Sequence, residues 1–89
     1  MIKILRAKHQ TGYVIRLDFS DGTSGNLDVA PLLARNTPLT EGIREPEQFG
    51  RFFIDMGALC WPNGLELSPA SIHRRLLASG ALVSQSSVA

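Results

Sequence analysis

The segment from Tyr13 to Phe19 constrains the fold more than any other part of the chain. Every second residue in it is bulky and apolar, while Arg16 and Asp18 occupy positions between them. An alternation with a period of two is typical of a β-strand that buries one face and exposes the other. The segment therefore predicts a half-buried strand in a sheet.

Residues 20–22 predict a hairpin turn after this strand, and residues 23–29 predict the returning strand. Leu27 has to face the same way as Ile15, which requires an odd number of residues in the loop. A three-residue loop meets this requirement. Its third residue takes a positive φ, which costs Gly22 little because glycine has no Cβ.

Two further regions have the composition of strands. Residues 2–9 have apolar side chains on both faces, and we expect both faces of this N-terminal strand to be covered. Residues 51–55 and 58–61 are rich in bulky apolar side chains on either side of a Met-Gly break. This arrangement predicts a second antiparallel hairpin.

Short helical segments connect the strands. Residues 30–34 predict one helical turn, residues 35–42 a surface loop, and a short helix starts near Pro46, with Phe49 as its core anchor. The main helix starts after Ser68, whose side chain can accept a hydrogen bond from an unpaired amide, and Gly80 is a natural end for it.

These elements predict an α+β fold. It consists of a small antiparallel β-sheet, made of two hairpins plus the N-terminal strand, packed against one C-terminal helix and short helical turns. Residues 1–80 form a single domain, because a chain of 89 residues holds one core. We expect residues 81–89, which are rich in serine, to be a flexible tail.

Charge and cysteine content exclude several functions. The formal net charge of +1 is far from the basic surface that phosphate backbones select, so we expect no direct nucleic-acid binding. A single cysteine excludes an intrachain disulfide and is compatible with a reducing compartment. No apolar run is long enough to span a bilayer. We expect a soluble, cytoplasmic protein with no membrane contact.

The side chains with the richest chemistry give no recognisable site. Cys60, His9 and His73 lack the spacing of metal ligands, so we expect no metal and no cofactor. A nucleophile arrangement of Cys60 with His73 and Asp55 can be written down, but no oxyanion loop or activating helix start accompanies it. We therefore predict no catalytic residue and no enzyme, with a Cys60 hydrolase as the discarded alternative.

The predicted interaction surface consists of Trp61, Asn63, Arg74 and Arg75. A tryptophan before a proline turn can be a binding platform, and adjacent arginines can bind an acidic partner. The alternative is that Trp61 is the main core aromatic and that the arginines are simply solvated. The residues predicted to shape the tight turns are Asp21, Gly22, Pro62 and Gly64.

The chain resembles domain-of-unknown-function family 2442, a group of short bacterial proteins. The resemblance rests on Phe-Ser-Asp-Gly-Thr at 19–23, on the segment 44–49, and above all on Trp-Pro-Asn-Gly-Leu-Glu-Leu-Ser-Pro at 61–69. Such proteins occur alone or ahead of a helix-turn-helix, and some are encoded beside another small protein in an arrangement that suggests toxin and antitoxin. The family supplies no catalytic residue.

The resemblance and the lack of a catalytic set imply a non-enzymatic protein-interaction domain. Its expected partner is a small protein encoded next to it, with this chain as the antitoxin-like member. A homo-oligomer paired through the edge strand at residues 2–8 is a further expectation. The alternative function is small-molecule sensing, with a shallow pocket near Trp61 and the C-terminal helix.

Overall fold

The computed structural model describes residues 1–84. Two antiparallel sheets and a C-terminal helix enclose one core, and three short helices connect the sheets, so the predicted α+β class is confirmed. The elements in chain order are β1 (Ile4–Thr11), β2 (Val14–Phe19), β3 (Thr23–Asp28), α1 (Ala30–Leu33), α2 (Pro38–Glu41), α3 (Pro46–Phe49), β4 (Phe53–Asp55), β5 (Ala58–Cys60), β6 (Glu66–Leu67), α4 (Pro69–Ala78) and β7 (Val83–Ser84). No helix among the described residues is long and apolar enough to cross a membrane.

The strands form two sheets. The larger sheet has the order β1-β2-β3-β7 and the smaller sheet has the order β4-β5-β6. The amide of Ile4 at the start of β1 donates to the carbonyl of Gly57 in the β4–β5 turn, at 2.9 Å. The two predicted hairpins are therefore present in separate sheets that meet at the N-terminus of β1.

The β2–β3 hairpin has the predicted register. Ile15 pairs with Leu27 across the two strands, which leaves the three-residue loop 20–22 between them. Gly22 has a φ of +86°, and its amide donates to the carbonyl of Phe19 at 3.2 Å. The parity of the apolar residues predicted an odd number of loop residues, and the position of Gly22 indicated three.

Helix α4 begins and ends as its sequence indicates. The hydroxyl of Ser68 accepts from the amide of Ser71 at 3.3 Å, and Ile72 and Leu76 are buried. At the other end Gly80 has a φ of +73°. Its amide and that of the next residue donate to the carbonyls of Leu77 and Leu76, the pair of bonds that closes a helix in a Schellman motif.

The close approach of α4 to β3 depends on Gly25. A Cβ at this position would lie 2.9 Å from the carbonyl oxygen of Ala81 and 3.3 Å from Leu76 Cδ1. A distance under 3.0 Å to a backbone atom cannot be accepted without a shift of the chain. Because Gly25 has no side chain, the end of α4 can lie directly against the sheet.

The loop predicted at residues 35–42 is wrong in its centre, because residues 38–41 form α2. Thr37 and Thr40 make a capping box in which each side chain bonds the backbone amide of the other residue. Thr40 is 2% exposed. The composition indicated a surface loop, since proline and threonine are common in loops. The reciprocal bonds of Thr37 and Thr40 instead satisfy backbone amides at the start of a helix.

The N-terminal strand differs from the prediction in its burial. Ile4 is buried, whereas Leu5 on the opposite side is 59% exposed, so only one face is covered. The strand is an edge of the larger sheet, and its register shifts between Ile4 and Arg6 and again between His9 and Thr11. Such bulges bend an edge strand away from partners. Pairing of this edge with a second copy stays a prediction.

Residues 81–84, which were predicted to belong to a flexible tail, are part of the folded domain. Ala81 and Leu82 pack against the core, and Val83 and Ser84 form β7, opposite Ser24 and Thr23 of β3. The remainder of the predicted tail, residues 85–89, lies outside the described residues.

We expect Gly22→Val to reduce the free energy of unfolding by about 1 to 2 kcal/mol, because a β-branched residue is strained at positive φ. A Cβ at this position has no neighbour within 4 Å, so the cost is conformational and not a clash. Gly22→Asn is the matched control, since asparagine tolerates the left-handed region and loses less. Urea unfolding measures both values. Equal stability of the valine variant and the parent would contradict the assigned strain.

Candidate functional site

Trp61 lies in the core and is not available on the surface. It is 1% exposed, and its indole N–H donates to the carbonyl oxygen of Phe49 at 2.8 Å. The ring centroids of Phe52 and Trp61 are 6.3 Å apart in an edge-to-face arrangement. The predicted interaction surface therefore loses Trp61, because a large aromatic ring with a satisfied N–H stabilises a small core most when it is buried.

Asn63 is exposed, but both polar atoms of its side chain form hydrogen bonds within the molecule. Its side-chain amide donates to the carbonyl of Leu39 at 2.9 Å, and its side-chain oxygen accepts from the amide of Leu65 at 3.1 Å. Gly64 has a φ of +99° and donates to the carbonyl of Trp61. The turn that contains Pro62 thus connects the smaller sheet to α2, and Asn63 has a structural role there.

The cysteine and histidine side chains bond in three different places. His73 Nε2 lies 2.9 Å from Asp21 Oδ2, His9 Nε2 lies 2.8 Å from the carbonyl oxygen of Gly12, and Cys60 Sγ lies 3.7 Å from the carbonyl oxygen of Ala58. Residues 1–84 contain no group of three histidine, cysteine, aspartate or glutamate side chains that could hold a metal ion.

Cys60 has an environment that opposes thiolate formation. Burial raises the pKa of its thiol, and the negative charges of Glu66 and Asp55 raise this pKa further. The imidazole of His73 instead bonds Asp21. The arrangement of Cys60, His73 and Asp55 that the sequence allows is therefore not assembled as an activated nucleophile, which requires a nearby base or positive charge.

Asp21 connects the β2–β3 turn to α4. Its Oδ1 accepts from the hydroxyl of Thr23 at 2.6 Å and from the amide of Thr23 at 3.1 Å, while Oδ2 contacts His73. The hydroxyl of Thr23 is the main cause that lowers the pKa of Asp21, against an opposing effect of burial; the Thr23 amide and His73 lower it further. The ring of His73 also packs edge-to-face on Phe19, with centroids 5.1 Å apart.

A partly open groove lies between α1, the end of β3, the end of β6 and residues 71–75 of α4, and we name it the α1–α4 groove. Its cavity volume is about 280 Å³. Five apolar residues form its floor, and five polar or charged residues complete its lining. The lining residues are Leu27, Val29, Leu32, Leu67, Ile72, Asp28, Arg35, Ser68, Ser71 and Arg75.

Two arginine side chains that line this groove have no partner among the described residues. Arg35 and Arg75 are exposed, and within residues 1–84 neither guanidinium group has an ion-pair or hydrogen-bond partner. Arg74, the other predicted interaction residue, is also exposed and unpaired in that part of the chain, but it does not line the groove. The structure therefore separates two arginines that are adjacent in the sequence.

The predicted shallow pocket corresponds to two separate places. The α1–α4 groove lies against α4, while a depression of about 270 Å³ near Trp61 is lined by Phe53, Cys60, Glu66 and others in the smaller sheet. Sequence reasoning missed Arg35 because it lay in the predicted loop. The only local sign of a role for Arg35 was its position directly after the apolar residues 30–34. Nothing in the sequence indicated that Arg75 lies in the same groove.

Comparison with known families gives one match. Residues 4–76 match the family described as Protein of unknown function (DUF2442). The chain belongs to this family. No match was found among curated proteins or among solved structures.

The DUF2442 match covers the part of the chain that builds the groove. It starts at the first residue of β1 and ends within α4, and every residue that lines the α1–α4 groove lies inside the matched range. The groove is therefore part of the DUF2442 domain of this chain.

We expect the thiol of Cys60 to react with Ellman's reagent at least roughly tenfold more slowly in the folded chain than in urea, since burial and nearby carboxylates raise its pKa. Absorbance at neutral pH follows the reaction. A model peptide that contains one cysteine, measured with and without urea, corrects for the solvent. A folded rate equal to or above the unfolded rate would contradict a structural role for this thiol.

We expect Asp21→Asn to lower the free energy of unfolding at neutral pH, with a smaller effect in acid. A carboxylate with a lowered pKa stabilises the fold above its unfolded pKa, and this stabilisation is lost as the pH falls through the folded pKa, below about pH 4. Urea unfolding at several pH values measures the difference. Thr23→Val removes the main cause of the lowered pKa and should reproduce much of the effect. A difference independent of pH would refute the assignment.

Proposed function

We propose that this chain is a non-enzymatic protein-interaction domain that binds a small partner protein, as the antitoxin-like member of a two-gene module. The observation that supports the proposal is the α1–α4 groove, where the partly exposed Leu32 and Leu67 lie beside unpaired arginines. Exposed apolar surface with a polar rim is typical of protein-binding sites.

The shape of the groove favours a polypeptide as its ligand. Small molecules generally bind in clefts that bury roughly 70 to 90% of their surface. The α1–α4 groove is partly open to solvent, and four elements, β3, α1, β6 and α4, contribute residues to it. An extended or helical segment of a partner could lie along such a groove and also contact its rim.

The size of the domain supports the same proposal. A chain of 89 residues buries only about 60 to 65% of the surface that its unfolded form exposes, so its own stability is small. A partner that binds only the folded chain adds to the free energy of unfolding. Burial of the partly exposed Leu32 and Leu67 under a partner would extend the core.

The proposal assigns the interaction to the cytoplasm and to a protein rather than to nucleic acid. Cys60 is a free, buried thiol, which persists reduced in that compartment. The net charge of +1 is too small for the phosphate contacts that support nucleic-acid binding.

We expect the purified chain to co-elute at micromolar concentration with the product of its adjacent gene. Ser71→Tyr should abolish the complex, because Ser71 lines the groove and a tyrosine side chain would occupy it. Ala70→Tyr is the matched control, since Ala70 is also exposed in the first turn of α4 but does not line the groove.

Size-exclusion chromatography of the co-expressed proteins measures the complex, and urea unfolding verifies that both variants are folded. The proposal fails if the parent chain and the neighbouring gene product never co-elute. If the two tyrosine variants bind equally well, the interaction function is retained, but the α1–α4 groove is rejected as its interface.

A further inference from the structure

We infer that the α1–α4 groove binds an acidic segment of the partner, in which a carboxylate side chain lies next to an apolar one. The inference rests on the proposed function and specifies the chemistry of the partner at the same site. It follows from the charges at the rim of the groove and from the apolar residues of its floor.

The arginines of the chain divide into two groups. Arg6, Arg16 and Arg51 pair with carboxylates, and the guanidinium group of Arg44 bonds the carbonyl of Leu33 and the side chain of Asn36. Within residues 1–84, only Arg35, Arg74 and Arg75 lack such a partner. Two of these three line one groove, where residues 1–84 supply no ion-pair or hydrogen-bond partner for them.

Asp28 is the only carboxylate in the lining, and it already has a structural contact. Its Oδ1 accepts from the amide of Ala30 at 3.0 Å, at the start of α1. This bond holds Asp28 at the end of β3, where it satisfies a helix amide that has no intrahelical partner. The groove consequently has an excess of positive charge that a carboxylate from outside the chain can neutralise.

The floor of the groove determines which anion fits best. Leu27, Val29 and Ile72 are buried beneath it, and Leu32 and Leu67 remain partly exposed. A free phosphate would satisfy the arginines but would leave the leucine side chains in water. A peptide with a carboxylate beside an apolar side chain can satisfy both, since apolar contact provides affinity and charge provides orientation.

The test uses two octapeptides, Gly-Ser-Leu-Glu-Glu-Leu-Ser-Gly and the same peptide with both glutamates replaced by glutamine. Both have blocked termini, so the side chains alone differ in charge. Each is titrated into the isotope-labelled full chain at low ionic strength, and amide chemical shifts are recorded. We expect the acidic peptide to shift the amides of α1 and of residues 71–75 of α4. The glutamine peptide should bind roughly tenfold more weakly.

Charge reversal within α4 provides the matched comparison. Arg75→Glu should weaken binding of the acidic peptide roughly tenfold, whereas Arg74→Glu changes the net charge equally at the adjacent exposed position and should have little effect. Arg35→Glu, on α1's side of the groove, should behave like Arg75→Glu. Added salt should reduce the difference between the variants.

Each contrary result has a defined meaning. Equal affinity for the two peptides, or equal loss in Arg74→Glu and Arg75→Glu, would overturn the acidic-segment inference. Full competition by millimolar inorganic phosphate would overturn it in favour of a simple anion site. None of these results affects co-elution with the adjacent gene product, which tests the proposed function separately. A complex that forms but responds alike to both charge reversals would retain the function and reject this inference.

Discussion

The position of α4 on the larger sheet determines the rest of the structure. Gly25 leaves room for Leu76 and for the carbonyl of Ala81, so the C-terminal half of the helix lies directly against β3. The Schellman turn at Gly80 then directs the chain to β7, which pairs beside β3. Residues 71–75 of the helix face α1 across the α1–α4 groove.

A second fixed point comes from the β2–β3 turn. Asp21 bonds both Thr23 and His73, so the same loop that closes the hairpin also contacts the middle of α4. Because of this bond, the three titratable side chains of α4, His73, Arg74 and Arg75, have different surroundings. His73 is bound to the body of the domain, whereas Arg74 and Arg75 extend into solvent. An imidazole bound in this way contributes to the packing of the helix rather than to a site.

Local sequence patterns predicted the elements whose physical basis is local. Alternation determined the parity of the β2–β3 loop, and the Ser68 cap and Gly80 determined the ends of α4. The α2 helix was missed because its capping box uses two threonines, whose composition is also that of a loop. Both faces of the N-terminal strand were predicted to be covered, but Leu5 is exposed, because the burial of an edge strand depends on which elements pack against each face.

The groove could not be predicted, because it depends on contacts between distant parts of the chain. Arg35 follows α1 and Arg75 lies within α4, and no periodicity in the sequence relates them. The same limit explains Trp61, since a Trp-Pro turn is equally compatible with a surface platform and with a core ring. When the ring is buried, its indole N–H needs an acceptor, and the carbonyl of Phe49 in α3 provides it from another part of the chain.

The sheet order separates the two surfaces through which this chain could meet another protein. Strand β1 is one edge of the larger sheet, while the groove lies beyond β3, and β2 separates the two. Bulges and the cationic residues Arg6 and Lys8 protect the β1 edge from strand pairing. The α1–α4 groove also has cationic residues at its rim, but there they lie beside the partly exposed side chains of Leu32 and Leu67. Because the two surfaces share no residue, substitutions can be chosen that change the side chains of one surface and none of the other.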